Sequence, residues 1–492
     1  MKISSSPVLG ILFAGLIGLS IGAAKSVQAG ILQAPPSFPY TMPGAPQPGI
    51  AVFVDFESAD YSIVYDFPRK VARVESEITF EALADGFPIF DLVVDPDEVS
   101  LDGKAVTTTV VSDPDSASRY RVVNAVVTRG HHRLSVKHRM EEGVSFTSRG
   151  VASAFWMSDL DDREYLENYL PANLEFDQVP MKMKIEILGA GGIMHTVRAN
   201  GAVTELGPNR FEVEFPVFYT ASSLFLHLMP RDAVESLKFD YPSVDGRMIP
   251  VEVYAGRSLS AFAAETRKTL TELEKDYGPF PHAKVIVYGS GSGGMEYSGA
   301  TVTSVSALGH ELFHSYNARA VMPAQGNAGW IDEAMSSWRD EGYASRATPS
   351  DATRMAGHSK WTRKTDTDAY TEGEAFLAWI STRMCARGLS LKVFLREYFT
   401  NHFYTTVTTA DFEHSLEKFT GMDLSQDFRK LIYGLRNSSG NGSGNDRESG
   451  KSEPSSVWIK KKLALSPESA PTKQSRFHPR LTKKELRELL WP

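Results

Sequence analysis

The chain has 492 residues, of which 42% are apolar, a formal charge of −8 and a pI near 5.9. That length supports two to four domains with cores of their own, so neither disulfides nor structural metals are needed to hold it together. The acidic balance excludes a chain-wide nucleic-acid footprint, and the single cysteine, Cys385, excludes an internal disulfide.

At the N-terminus, Met1 and Lys2 give a short positive start and residues 8–24 an apolar run. Val27-Gln28-Ala29 then offers small residues where a signal peptidase reads them. Residues 1–29 are therefore expected to be a signal peptide that exports the protein to a periplasmic or secreted location. An uncleaved anchor is the alternative, because the run falls slightly short of the roughly 20 residues of a bilayer span. Otherwise no membrane contact and no nucleic acid partner is expected, and nothing bears on the oligomeric state. Residues 30–49 carry Pro35, Pro36, Pro39, Pro43, Pro46 and Pro48 and read as an extended leader.

From about 50 to 255 the pattern is short alternating runs, among them 61–65, 90–94, 121–127, 132–136, 181–188, 210–215 and 225–228, punctuated by turns such as Asp102-Gly103. This predicts a β-rich N-terminal domain, a sandwich or a strongly curved sheet. Around 256 the period becomes helical: Phe262, Ala263, Leu270 and Leu273 share a face until Gly278-Pro279 ends the helix. A strand over 284–288, a Gly/Ser turn over 289–294 and a strand over 300–304 follow, then a helix that Ser304 or Ser306 caps. From there to about 434 the chain reads as mainly helical, with Cys385 expected as a small buried hydrophobe. Residues 436–492 form a Ser/Gly linker and a basic tail; residues 442–492 hold eleven Lys/Arg against six acids, and disorder is expected.

The informative segment is His310-Glu311-Leu312-Phe313-His314. On a helix, residues four apart lie about 40° apart around the axis, so both imidazoles project from one face and can share one tetrahedral zinc. Glu311 falls beside that face, where its carboxylate can take a proton from activated water. Glu333, eighteen residues beyond His314 and at the start of another apolar-periodic segment, is the candidate third ligand. Two histidines and one carboxylate make a catalytic class of zinc site, and one Zn2+ per chain is expected. Asp332 reads as a helix cap and Glu341 as a reserve ligand if the register slips. His131, His132, His282 and His402 show no ligand spacing and read as structural. The Gly-rich turn over 289–294 lacks the Lys and helix of a phosphate loop.

At these residues the chain resembles the gluzincin aminopeptidases, the family that contains aminopeptidase N and leukotriene hydrolase. The spacing of His310, His314 and Glu333 is that family's ligand pattern. Gly293-Gly294-Met295-Glu296 is similar to its G-x-M-E segment, which implies that Glu296 holds a substrate's free α-amino group. Tyr370-Thr371-Glu372-Gly373 is similar to its Y-x-K-G segment, which implies that Tyr370 steadies the oxyanion. The resemblance implies an α+β multidomain fold: a β-rich saddle-like N-terminal domain, then a thermolysin-like, mainly helical zinc peptidase domain over 256–435. It also implies peptide substrates. Tyr297 stands where the family has Asn, Glu372 where it has Lys, and the family's second amine-binding residue, a Gln of the saddle domain, has no evident counterpart. Ser315-Tyr316-Asn317 is closer to the glycyl aminopeptidases. The expected function is an exported zinc aminopeptidase. The alternatives are a zinc endopeptidase or glycyl-aminopeptidase-like enzyme, an inactive binding module, and an epoxide hydrolase, for which no specific residue speaks.

Overall fold

Strict alternation builds the N-terminal half. In the strand Val71–Ala82, the residues Ala72, Val74, Ser76, Ile78, Phe80 and Ala82 are buried while their neighbours face outward, the two-residue period of a sheet with one wet face. The computed structural model describes residues 34–435 apart from 113–118, 161–163, 175–176, 291–292, 345–348 and 350–351. The expected signal peptide and the basic tail lie outside the described residues. Val71–Ala82 sits between Asp55–Asp66 and Gly130–Met140 in an eight-stranded sheet. Met181–Leu188 joins that sheet parallel to Asp55–Asp66. A five-stranded and a four-stranded sheet complete this β-rich half. The stretch expected as an extended leader contributes a strand to the former, Phe38–Tyr40, paired antiparallel with Gly49–Phe53.

A second core lies between a sheet and the helices that follow it. The sheet runs in the order Glu235–Pro242, Met248–Ala255, Val285–Gly289, Ala300–Thr303, Gly294–Tyr297. Two of its strands come from before residue 256, where the sequence pattern places the start of the second domain; alternation marks a strand but not the core it joins. The helices of the described residues are α1 (Leu259–Tyr277), α2 (Leu308–Phe313), α3 (Trp330–Asp340), α4 (Glu372–Cys385), α5 (Leu391–His402), α6 (Thr409–Thr420) and α7 (Ser425–Leu431). Helix α1 buries Phe262, Thr266, Leu270, Leu273 and Tyr277 and stops at Gly278, whose φ of 93° suits glycine. Among the described residues no helix is long and apolar enough to cross a membrane.

Cys385 is exposed, not buried. The inward stripe of α4 runs through Phe376, Leu377, Ile380, Ser381 and Met384, and the next residue turns about 100° away from it. The two halves are joined by a buried charge cluster. The Arg363 guanidinium lies between Asp91 and Glu167 of the β-rich half, all three nearly inaccessible. Breaking such a pair from one side leaves a buried charge without its partner and costs about 3–5 kcal/mol.

Candidate metal centre and substrate site

Strand Ala300–Thr303 delivers the chain into α2, whose first turn begins at Ala307; Ser304 Oγ accepts from the Ala307 amide at 3.3 Å, while the helix has no side-chain cap at its own N-cap. Leu308, Leu312 and Phe313 anchor α2 in the second core. His314 is the residue at which the helix ends, with φ −59° and ψ −15°, so it keeps helical geometry and the four-residue spacing survives. The two imidazole centroids are 4.9 Å apart. Helix α3 is held by Trp330, Ala334, Met335 and Trp338 and presents Glu333 to both rings.

The ligand geometry is specific. Glu333 Oε2 lies 3.2 Å from His310 Nε2 and 3.5 Å from His314 Nε2. A tetrahedral zinc with bonds of about 2.0–2.1 Å has ligand atoms about 3.3–3.4 Å apart, and both of these separations lie close to that value. All three side chains are buried. Glu341 is exposed at the end of α3 and is not among the residues that gather here, so the reserve ligand is not needed.

Each histidine has a carboxylate behind it. His310 Nδ1 is 2.8 Å from Asp340 Oδ2. Asp332, expected as a helix cap, takes the Glu333 amide on Oδ1 at 2.8 Å and sets Oδ2 3.9 Å from His314 Nδ1. A hydrogen-bonded partner such as Asp340 fixes the ring orientation and raises ligand basicity, whereas Asp332 stands beyond hydrogen-bond reach of His314. Burial disfavours the charged imidazoles, yet Asp340 and Glu333 hold His310 well above its ordinary range, and Glu333 with Glu296 brings His314 to about 9. Burial would raise the Glu333 carboxyl, but the same imidazoles depress it strongly, His314 foremost.

Glu311 is buried beside the strand Gly294–Tyr297. Any side chain at Gly294 would collide with its carboxylate, which gives this glycine of the expected substrate-binding segment a steric reason. Gly293 adopts φ +70°, and Met295 is largely buried. Burial, opposed by His310 and reinforced by Glu296, raises the Glu311 carboxyl to about 8. Tyr370, in the turn before α4, donates to Glu333 Oε1 at 2.6 Å, and its ring lies parallel to that of His310. Close packing of α4 on α3 brings it there: a Cβ at Gly373 would stand 2.9 Å from that of Ala334.

Glu296 is also buried, and its Oε1 accepts from Arg319 Nη2 at 2.6 Å. Glu296, His314 and Asp332 form a second group with ligand atoms within 4.8 Å, but Arg319 already supplies a cation to it. Tyr297, in the position of the family's Asn, donates to Phe155 O at 3.0 Å and so pins the segment that follows strand Gly150–Ala154. That segment leads to Asp159, buried, whose carboxyl is raised well above its ordinary range by burial and then by Glu296, Glu333 and Asp332. His282, expected to be structural, is buried with Nε2 2.9 Å from Ser315 O. His131 and His132 pair with Glu57 and Asp102 in the β-rich half.

No family model matches the sequence, and a search of curated proteins finds no match. Solved structures do match. An M1 zinc metallopeptidase from Deinococcus radiodurans, bound to a Tyr-Ser-Ala substrate, aligns over 78% of this chain and 95% of its own, with a TM-score of 0.56 and 16% identity. Yeast leukotriene A4 hydrolase with bestatin aligns over 77% of this chain and 67% of its own, also at 0.56 and 16%. Legionella pneumophila aminopeptidase A with aspartic acid aligns over 77% of this chain but only 49% of its own, at 0.56 and 13%. The fold of this chain, a β-rich half followed by a sheet-and-helix half that carries the two histidines and the glutamate, is that of the M1 zinc metallopeptidases.

Proposed function

We propose that this protein is a zinc metallopeptidase acting as an aminopeptidase, exported by the segment 1–29. The observation that carries the metal assignment is the pair of contacts from Glu333 Oε2 to the two imidazole nitrogens, 3.2 and 3.5 Å. His310, His314 and Glu333 would hold Zn2+, and the ion, when bound, supplies Lewis acidity toward water and a peptide carbonyl.

The remaining steps belong to the protein. Glu311, buried beside the strand Gly294–Tyr297, accepts the proton of the attacking water and returns it to the leaving amine. Tyr370 turns its hydroxyl from Glu333 toward the developing oxyanion, a donor aimed where charge appears. Gly293, Gly294 and Met295 line the strand edge along which the peptide lies. Glu296 receives the free α-ammonium, so that cleavage releases one residue at a time. Asp340 keeps the His310 imidazole in the orientation the metal needs.

A zinc endopeptidase is the second reading, favoured by the guanidinium already beside Glu296. The two are separated by hydrolysis of aminoacyl fluorogenic amides beside the same compounds acetylated at the N-terminus. Cleavage of free-amine substrates alone is the expected outcome. Equal cleavage of the blocked set leaves the zinc chemistry standing and removes the amine anchor.

A further inference from the structure

Arg319 is nearly inaccessible, yet it carries a full charge into the site. It arrives there through an unusual turn. Beyond α2 the chain passes Ala318 at φ +78°, and the Arg319 amide then donates back to His314 O at 3.0 Å. Ser298 Oγ holds the Arg319 carbonyl at 3.2 Å. The backbone of Arg319 is thus tied both to the metal-binding segment and to the end of the strand that bears Glu296. Among the described residues its guanidinium has two hydrogen-bond partners: Nη2 donates to Glu296 Oε1 at 2.6 Å, and Nη1 donates to Ser222 Oγ at 2.9 Å. Ser222 belongs to the β-rich half and is itself within 3.0 Å of Thr220 Oγ1.

A left-handed alanine is strained, and burying an arginine costs several kcal/mol before pairing offsets it. Arg319 Nε is moreover buried without an acceptor among the described residues. Apolar packing would hold this corner together at lower cost. What the arrangement achieves is orientation: with Oε1 held by the guanidinium, the carboxylate plane of Glu296 is fixed and the position of Oε2 is set with it. Fixing that rotamer in advance removes an ordering cost from binding.

We propose that Arg319 is a positioning residue for substrate binding, holding Glu296 Oε1 through a clamp anchored on Ser222 so that Oε2 receives the α-ammonium of the peptide. The assignment rests on the aminopeptidase reading above. It makes the interface between the two halves part of the specificity device: the clamp is complete only when Ser222 is docked against the turn after α2.

The test is steady-state kinetics of the zinc-loaded full chain on an alanyl fluorogenic amide and its N-acetyl counterpart, with zinc content and melting temperature measured for every variant. Arg319→Met is expected to raise KM for the free-amine substrate by about tenfold or more, with kcat kept within a few-fold, the signature of lost ground-state binding. Arg319→Lys, which keeps a donor and a charge, restores most of that loss. Ser222→Ala removes only the anchor and is expected to raise KM about two- to fivefold at unchanged kcat. It carries the test should Arg319→Met not fold. Unchanged KM in Ser222→Ala, or a fall in kcat with unchanged KM in Arg319→Met, overturns the positioning role. Equal cleavage of free and acetylated substrates by the unaltered protein instead overturns the amine-anchoring reading, and the clamp with it. A clear free-amine preference with KM insensitive to both variants defeats the clamp alone.

Discussion

The two sides of the site are assembled over very different chain distances. On the metal side, His310, His314, Asp332, Glu333 and Asp340 all fall within two helices and their connection. On the proposed substrate side, Glu296 comes from a strand, Arg319 from a turn, and Ser222 and Asp159 from the β-rich half. Helical geometry brings the first set together almost locally. The second set exists only after the halves have docked. Metal binding should therefore tolerate disturbance of the interface, and substrate recognition should not.

The largest expected effect strikes the residue that touches both sides. Glu311 is placed by α2 but rests on Gly294 of the strand. Glu311→Gln should lower kcat by about 10²–10⁴-fold, the usual worth of a general base, while metal analysis still finds one zinc per chain. Substantial turnover in this variant would remove Glu311 from the chemistry. A middle-sized effect belongs to the metal side alone. Asp340→Asn should weaken zinc binding by about 10–100-fold, measured by competition with a chromophoric chelator, and leave KM of the zinc-saturated enzyme unchanged. If KM moves and zinc affinity does not, the division between the two sides fails.

The smallest effect contrasts histidines. Those of the site are pushed up by facing carboxylates, His314 to about 9. His227 of the β-rich half is pushed down to about 3 by burial and then by Arg198. The folded state thus holds His227 neutral, whereas the unfolded chain protonates it near 6.5. Its contribution is complete above pH 6.5 and is lost as the pH falls toward 3, because the unfolded state binds the extra proton. The melting temperature should decline over that window. His227→Gln should show a shallower decline; an identical slope would mean that other groups control the acid limb.

Much of the metal side could be read before any coordinates. The four-residue spacing of His310 and His314 survives even though α2 ends at His314 itself. Asp340 carried a readable signal too: seven residues beyond Glu333 are two turns, hence the same face of α3. Arg319 and Asp159 carried none, because a turn residue and a residue beyond a strand end have no period to betray them. Cys385 shows the same limit on a small scale: an apolar stretch names the helix, and one residue's rotation decides exposure. The strands Glu235–Pro242 and Met248–Ala255 read as strands, yet their alternation did not reveal which core they would join.

The amino-acid order alone settled the elements whose cause is local: helix faces, the alternating strands, and the ligand pattern of His310, His314 and Glu333. Contiguous residues share a period, and that period is written in neighbouring side chains. Only the tertiary structure decided that Gly294 must be small beneath Glu311, that Arg363 locks onto Asp91 and Glu167, and that Arg319 reaches from Ser222 to Glu296. Those contacts join residues tens to hundreds of positions apart. They arise from how whole sheets and helices pack, a sum over many weak interactions that no single stretch of sequence encodes.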